Sequence, residues 1–444
     1  MESYIHLYKT NEEFTAAYNS PNYKEPWLSL TEENMTIGYS KILTAITFNS
    51  ITWVTDIPAT GGTATKNNCT FKVYANYDNG SFLDISSDAT VTGTLVVPSS
   101  TEGQRHEYGQ LTLTAKYSGF TATGNVTVYQ AAVDFSTKPL TFNILSAGTI
   151  IWRASNTSIA KTIKYKLNDN EWASITSNTG SSAPTINVAK GDKIQFRGNN
   201  AQYAINTSAY NSFSGSTALF EAEGNIMSLI YGDDFKNNST ISSRYTFAWL
   251  FRDCAKLISA ENLILPATKL TNYCYYYMFS DCTKLTTAPS VLPATKLADY
   301  CYSYMFKGCT SLTTAPALSA TKLATYCYYG MFQGCTSLKT APVLPAIDLE
   351  MVCYASMFYG CTNLTTAPAL PATTLANSCY SKMFQGCTKL NYIKCLATDI
   401  SATDCTKSWV SGVASTGTFV KPSSMTSWPE GSNGIPNNWT VQDA

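Results

Sequence analysis

Cysteine is the residue type with the most chemical potential in this chain, and it is spaced with unusual regularity. Cys274, Cys301, Cys327, Cys353 and Cys379 form one row, and Cys282, Cys309, Cys335, Cys361 and Cys387 form another. The two members of each pair are eight residues apart. Spread along a helix, that is about 12 Å, beyond the roughly 4.4–6.8 Å between α-carbons that a disulfide needs. Pairing between neighbouring copies would give each cysteine two equivalent partners, so the rows read as small buried hydrophobes that stay reduced. Zinc needs four convergent ligands. The two histidines, His6 and His106, stand apart from both rows, so no metal site is expected.

Acid–base and nucleophilic catalysis fare no better. His106 lies between Arg105 and Glu107 in what reads as a polar surface turn, with no nucleophile of matching spacing. Neither Gly61-Gly62 nor Tyr231-Gly232-Asp233-Asp234 carries the Lys-Ser/Thr of a phosphate loop. The expectation is a protein with no catalytic residues and no cofactor, not an enzyme. Tyrosine is the type that suggests binding. Tyr275, Tyr302, Tyr328, Tyr354 and Tyr380 recur in step with the first cysteine row and are expected to pack between copies. Tyr273, Tyr300, Tyr304, Tyr326 and Tyr329 stand outside that row. They are the candidate ligand-binding residues, since a tyrosine pairs an apolar body with a polar tip.

The elements that must position these residues are repeats. Met-Phe pairs begin at Met278, Met305, Met331, Met357 and Met383, each opening Met-Phe-x-Gly-Cys-Thr-x-Leu, with Asp281 replacing the first glycine. A degenerate copy starts at Leu250. Three copies run on into Thr-Ala-Pro-x-Leu, as at Thr314–Leu318. A period in this range points to a solenoid in which stacked copies share one core. Within one copy, Leu297, Cys301, Met305 and Cys309 form an i, i+4, i+8, i+12 row, which predicts a helix buried on that side. Thr295 is its expected N-cap and Gly308 its left-handed terminator. Leu312 to Leu318 reads as a brief extended segment. The repeats at about 245–405 resemble the BspA-like, Treponema-type leucine-rich repeats of surface proteins. Met in place of the usual Ala before Phe, and about three extra residues per copy, depart from that pattern.

The N-terminal half alternates apolar and polar residues in short runs, such as Leu111–Tyr117 and Gly124–Tyr129. Ile57–Thr63 and Val128–Ala132 resemble the first and last strands of bacterial Ig-like or BACON-like modules. Residues 134–240 read as a second all-β module, with strands at Ile150–Trp152, Ile163–Leu167 and Lys193–Phe196 and a hairpin at Asn168–Glu171. Pro26–Asn34 resembles leader segments of structural proteins of gut Bacteroidales phages. The expected organisation is therefore a leader or anchor at 1–40, an Ig-like sandwich at 41–133, an all-β module at 134–240, the α/β leucine-rich-repeat solenoid at 241–405, and a cap at 406–444.

Thirty Lys and Arg balance thirty Asp and Glu, which argues against a nucleic-acid partner. No apolar run is long enough to span a membrane, and Met1 to His6 do not resemble a signal peptide. Together these readings imply a phage virion protein: a fibre, decoration or tail-associated subunit. It would attach to other virion proteins through its N-terminal segment and bind host-surface glycan or protein. A homo-oligomer is left open. The alternative is a secreted, cell-surface adhesin of the BspA-like type.

Overall fold

The computed structural model describes the strands His6–Tyr8, Trp27–Leu30 and Met35–Gly38 and residues 43–59, 61–98, 106–131, 134–426 and 428–444. Most of the expected anchor at 1–40 lies outside the described residues, as do the side chains of His6 and His106. The chain is β-rich with little helix. It divides into two compact units, Met1–Asp134 and Phe135–Ala444.

In the first unit, Leu43–Trp53, Cys69–Tyr77 and Phe82–Asp84 form one antiparallel sheet. Phe120–Gln130, His106–Tyr117 and Thr90–Thr92 form another. Gly62–Thr65 pairs with Thr94–Val97 in a separate two-stranded ribbon. The period-2 alternation sends Val73, Ala75, Leu111, Leu113, Ala115, Val126 and Val128 into one core. Gly124 lets two strands close in: a β-carbon there would sit 2.5 Å from Ile51 Cδ1.

The main core of the second unit runs from Leu140 to Trp439, with a small separate cluster around Trp249. Residues 134–240, expected as a separate module, therefore belong with the repeats and the C-terminal segment. Their antiparallel strands include Ala173–Thr176, Thr162–Leu167, Lys193–Arg197, Leu140–Ile144 and Phe220–Asn225. The hairpin at Asn168 forms as expected, with Asn168 at φ 51°. At Phe220–Asn225 pairing switches to parallel, with Leu257–Ser259 and Leu263–Ile264. From there parallel bridges step through Ser259, Thr287, Thr314, Thr340, Thr366 and Tyr392. The ladder ends on Thr418–Lys421 and Thr440–Asp443. Each 26- to 28-residue copy is thus one rung of a stack, and Trp409, Trp428 and Trp439 bury themselves at its last rungs.

The helix expected across each copy does not form. Alternate amides between 273 and 282 do different work. Cys274, Tyr276, Met278, Ser280 and Cys282 donate to carbonyls three residues back. Tyr273, Tyr275, Tyr277, Phe279 and Asp281 donate instead to Asp299, Cys301, Ser303, Met305 and Lys307 on the next rung. Every fourth residue takes a left-handed φ: 61° at Tyr273, 53° at Tyr277 and 59° at Asp281. The result is a chain of overlapping turns with a four-residue period. Thr295, the expected cap, instead accepts the amides of Thr321 and Lys322. The row itself is buried as expected: Leu297, Cys301, Met305 and Cys309 all lie in the core.

The glycine of each copy closes this chain of turns at φ 72–76° from Gly308 to Gly386. A β-carbon at Gly334 would meet only Gly308, 3.8 Å away, so the restriction comes from the backbone and not from crowding. Asp281 fills the same column at φ 59°, and Asp tolerates this region where β-branched residues do not. Gly334→Val is expected to cost about 1–2 kcal/mol and Gly334→Asn distinctly less, as read from urea midpoints.

Candidate functional site

Two aromatic columns fill the inside of the stack. Phe279, Phe306, Phe332, Phe358 and Phe384 lie with ring centroids 5.3–5.8 Å apart and planes within 10°. Tyr275, Tyr302, Tyr328, Tyr354 and Tyr380 stack beside them at 5.6–6.2 Å. Both columns meet Trp409. The interior tyrosines are buried, as their spacing predicted. The hydroxyls of Tyr275 and Tyr354 find no hydrogen-bond partner among the described residues. Because an unmet buried hydroxyl carries its full desolvation penalty, Tyr354→Phe is expected to raise stability by about 1 kcal/mol. A lowered denaturation midpoint would contradict this.

All fourteen cysteines are free, and all but Cys69 are buried. The second row has a specific role. Cys282, Cys309, Cys335, Cys361 and Cys387 donate their thiols to the carbonyls of Phe251, Phe279, Phe306, Phe332 and Phe358 on the preceding rung, at 2.9–3.1 Å. Burial pushes the thiol of Cys387 up to about 12. It raises Cys335 well above its ordinary value, with Cys309 and Cys361 adding to the effect. These are protonated donors inside the stack, unsuited to act as nucleophiles.

The tyrosines outside the interior row gather on one strip. Tyr245, Tyr273, Tyr300 and Tyr326 stack face to face, each neighbouring pair 4.6 Å apart. Trp249, Tyr277 and Tyr304 form a second, looser column, with the last two 4.6 Å apart. Tyr276 stands nearly perpendicular to Tyr273 and Tyr277. Tyr329 does the same against Tyr326 and Tyr304. Tyr276 and Tyr329 share a column with Ala248, Ser303 and Ala355, so large and small side chains alternate from rung to rung. Buried Ser303 donates to the Tyr326 carbonyl between them.

All five candidate tyrosines therefore lie in one array and are half-buried. Four of them, Tyr273, Tyr300, Tyr304 and Tyr326, sit at left-handed φ, which the turn chain imposes on their columns. Sequence reasoning missed Tyr245, Trp249, Tyr276 and Tyr277. Tyr245 lies 28 residues before Tyr273, the same step as from Leu250 to Met278, and that step was the available signal. Arg244 lies over Tyr245 and Tyr273, and Lys307 lies over Tyr277 and Tyr304, at 5.3–5.7 Å from the ring centres. Burial and then the neighbouring phenols raise the pKa of Tyr276, and burial with the Tyr329 hydroxyl raises that of Tyr304. At neutral pH the strip offers neutral hydroxyls, ring edges and flanking cations.

One further cleft, about 300 Å³, lies between Trp172, Arg197, Lys164, Asn199 and Asp233. Arg197 stacks on Trp172 at 4.5 Å and is ion-paired with Asp233. Its charge and its ring partner are thus already engaged. Among the described residues no group of three or more His, Cys, Asp or Glu is arranged to hold a metal. No helix among them is long and apolar enough to cross a membrane. No family model matches the sequence, and no curated protein matches it significantly.

Proposed function

We propose that the protein is a non-enzymatic structural and adhesion protein, in which BspA-like leucine-rich repeats present a tyrosine strip to a host-surface glycan or protein. The first unit would supply Ig-like or BACON-like strands, and the N-terminal segment would be the attachment point. The observation that carries this reading is the strip itself. Half-buried tyrosine rings held rigidly by one another lose little conformational entropy on binding, and their hydroxyls offer both donors and acceptors. The setting we infer is a phage virion, bound to other virion proteins. Support comes from thirteen buried cysteines held as free thiols, since assembly in a reducing cytoplasm leaves such thiols unpaired.

The test is a variant carrying Tyr273→Ser, Tyr300→Ser and Tyr326→Ser. Ser378 fills the same column at φ 53°, so serine suits the backbone there. On a printed panel of bacterial-surface polysaccharides and surface proteins, the parent chain is expected to label discrete spots and the variant to lose them, with its circular dichroism unchanged. Equal labelling by the two proteins would remove the strip from recognition.

A further inference from the structure

A second column runs beside the strip. Lys269, Lys296 and Lys322 pair with one another in parallel register across three rungs, and all three are exposed. Each lies four residues before a tyrosine of the strip: Tyr273, Tyr300 and Tyr326 respectively. Four residues of chain reach at most about 14 Å, so the lysine column runs alongside the tyrosine column within that distance. Like charges directly opposite one another on paired strands are destabilising. None of the three has an ion-pair partner among the described residues.

The two columns also end together. On the next rung the matching positions hold Asp348 and Val352, and on the one after, Thr374 and Ser378. From 240 to 330 the chain carries eight Lys and Arg against four Asp and Glu. The zero net charge of the whole chain conceals this local excess.

We propose that the two columns bind a linear anionic glycan lying along the stack. Its carboxylate or sulfate groups would face Lys269, Lys296 and Lys322, and its sugar rings would lie against the edges and hydroxyls of the tyrosine strip. This deepens the recognition reading above and rests on it. Rungs in parallel register repeat at about 4.8 Å, so the three ammonium groups form a straight, evenly spaced row, which suits a linear chain with regularly repeating anionic groups. A single-stranded nucleic acid fits less well. It needs open aromatic faces for its bases, whereas Tyr273, Tyr300 and Tyr326 turn their faces to one another at 4.6 Å.

The full chain is titrated with polygalacturonate, with its neutral methyl ester, with dextran sulfate and with poly(dT). At least one anionic polysaccharide is expected to bind more tightly than the neutral ester and poly(dT), and less tightly as salt rises. The variant Lys269→Thr, Lys296→Thr, Lys322→Thr borrows the residue found at Thr374. It is expected to weaken that binding about tenfold, the sum of three partly screened charge contacts, with an unchanged unfolding midpoint. Failure of both anionic polysaccharides to bind more tightly than the neutral ester, tighter binding of poly(dT), or an unaffected lysine variant would each overturn the proposal. If the tyrosine variant still loses its array spots while any of these occurs, the recognition reading survives and only the charge assignment falls. If the array shows no spots for the parent chain and neither anionic polysaccharide binds, both fall.

Discussion

Raising the pH from about 8 to about 11 is expected to unfold the repeat stack cooperatively. The thiols of Cys274, Cys327, Cys379, Cys387 and Cys395 are pushed by burial up to about 12. In an unfolded chain a thiol releases its proton near about 8.5. Between those values the folded chain holds more protons than the unfolded one. The stability these thiols contribute is therefore complete below about pH 8.5 and is lost as pH climbs toward 12. Each thiol adds a slope of about 1.4 kcal/mol per pH unit. Five acting together would consume a stability of about 5–15 kcal/mol within one or two units. Burial raises the interior phenols of Tyr275, Tyr302 and Tyr328 as well, which sharpens the loss. Circular dichroism against pH, with reductant present, gives the measurement. A signal unchanged to about pH 11.5 would mean that the thiols are not buried donors.

Phe332→Ala is expected to cost about 3–5 kcal/mol. Phe332 has no exposed surface and lies between Phe306 and Phe358, 5.7 Å from each and nearly parallel to both. Its carbonyl accepts the thiol of Cys361 at 3.1 Å. Neighbouring rungs cannot close the cavity, because backbone hydrogen bonds on either side fix their separation. Phe332 itself donates to Met357, and Phe306 donates to Met331. In a stacked array stability is shared between nearest neighbours, so the damage is expected to spread to the rungs holding Phe306 and Phe358. Hydrogen exchange resolved along the chain, with urea unfolding, reads both effects. A loss below about 1 kcal/mol would show that the site collapses or that the rungs are not coupled.

The period, the buried row, the interior tyrosines and the left-handed glycines could all be read from the sequence, because each follows from local repetition. The backbone of the rung could not be read correctly from the rule applied to it. An i, i+4, i+8, i+12 row predicts one side of a helix. An α-helix of 3.6 residues per turn rotates each i+4 step by about 40°, so Cys309 would stand about 120° around from Leu297. A row that stays straight over three steps suits a four-residue turn better, and the left-handed angles at Tyr300, Tyr304 and Gly308 confirm that period. The union of 134–240 with the repeats rests on pairing of Phe220–Asn225 with Leu257–Ser259. No local pattern announces such a junction, and Glu221 and Glu223 in that strand disguise it further. The strip is half legible: its five candidates stand outside the interior tyrosine row, while Tyr276 and Tyr277 are hidden in a run of three tyrosines.

Under the proposed function, tyrosines two residues apart on one rung do separate work, Tyr300 in recognition and Tyr302 in the core. Single variants Tyr300→Ser and Tyr302→Phe, compared on the array spots that the parent chain labels, test it most directly. Tyr300→Ser removes a ring from the middle of the strip, and its retention on those spots is expected to fall by about tenfold or more. Tyr302→Phe keeps the buried ring and its stacking on Tyr275 and Tyr328, so its retention is expected to equal that of the parent. Parent-like retention of Tyr300→Ser, or an equal loss in both variants, would contradict the account.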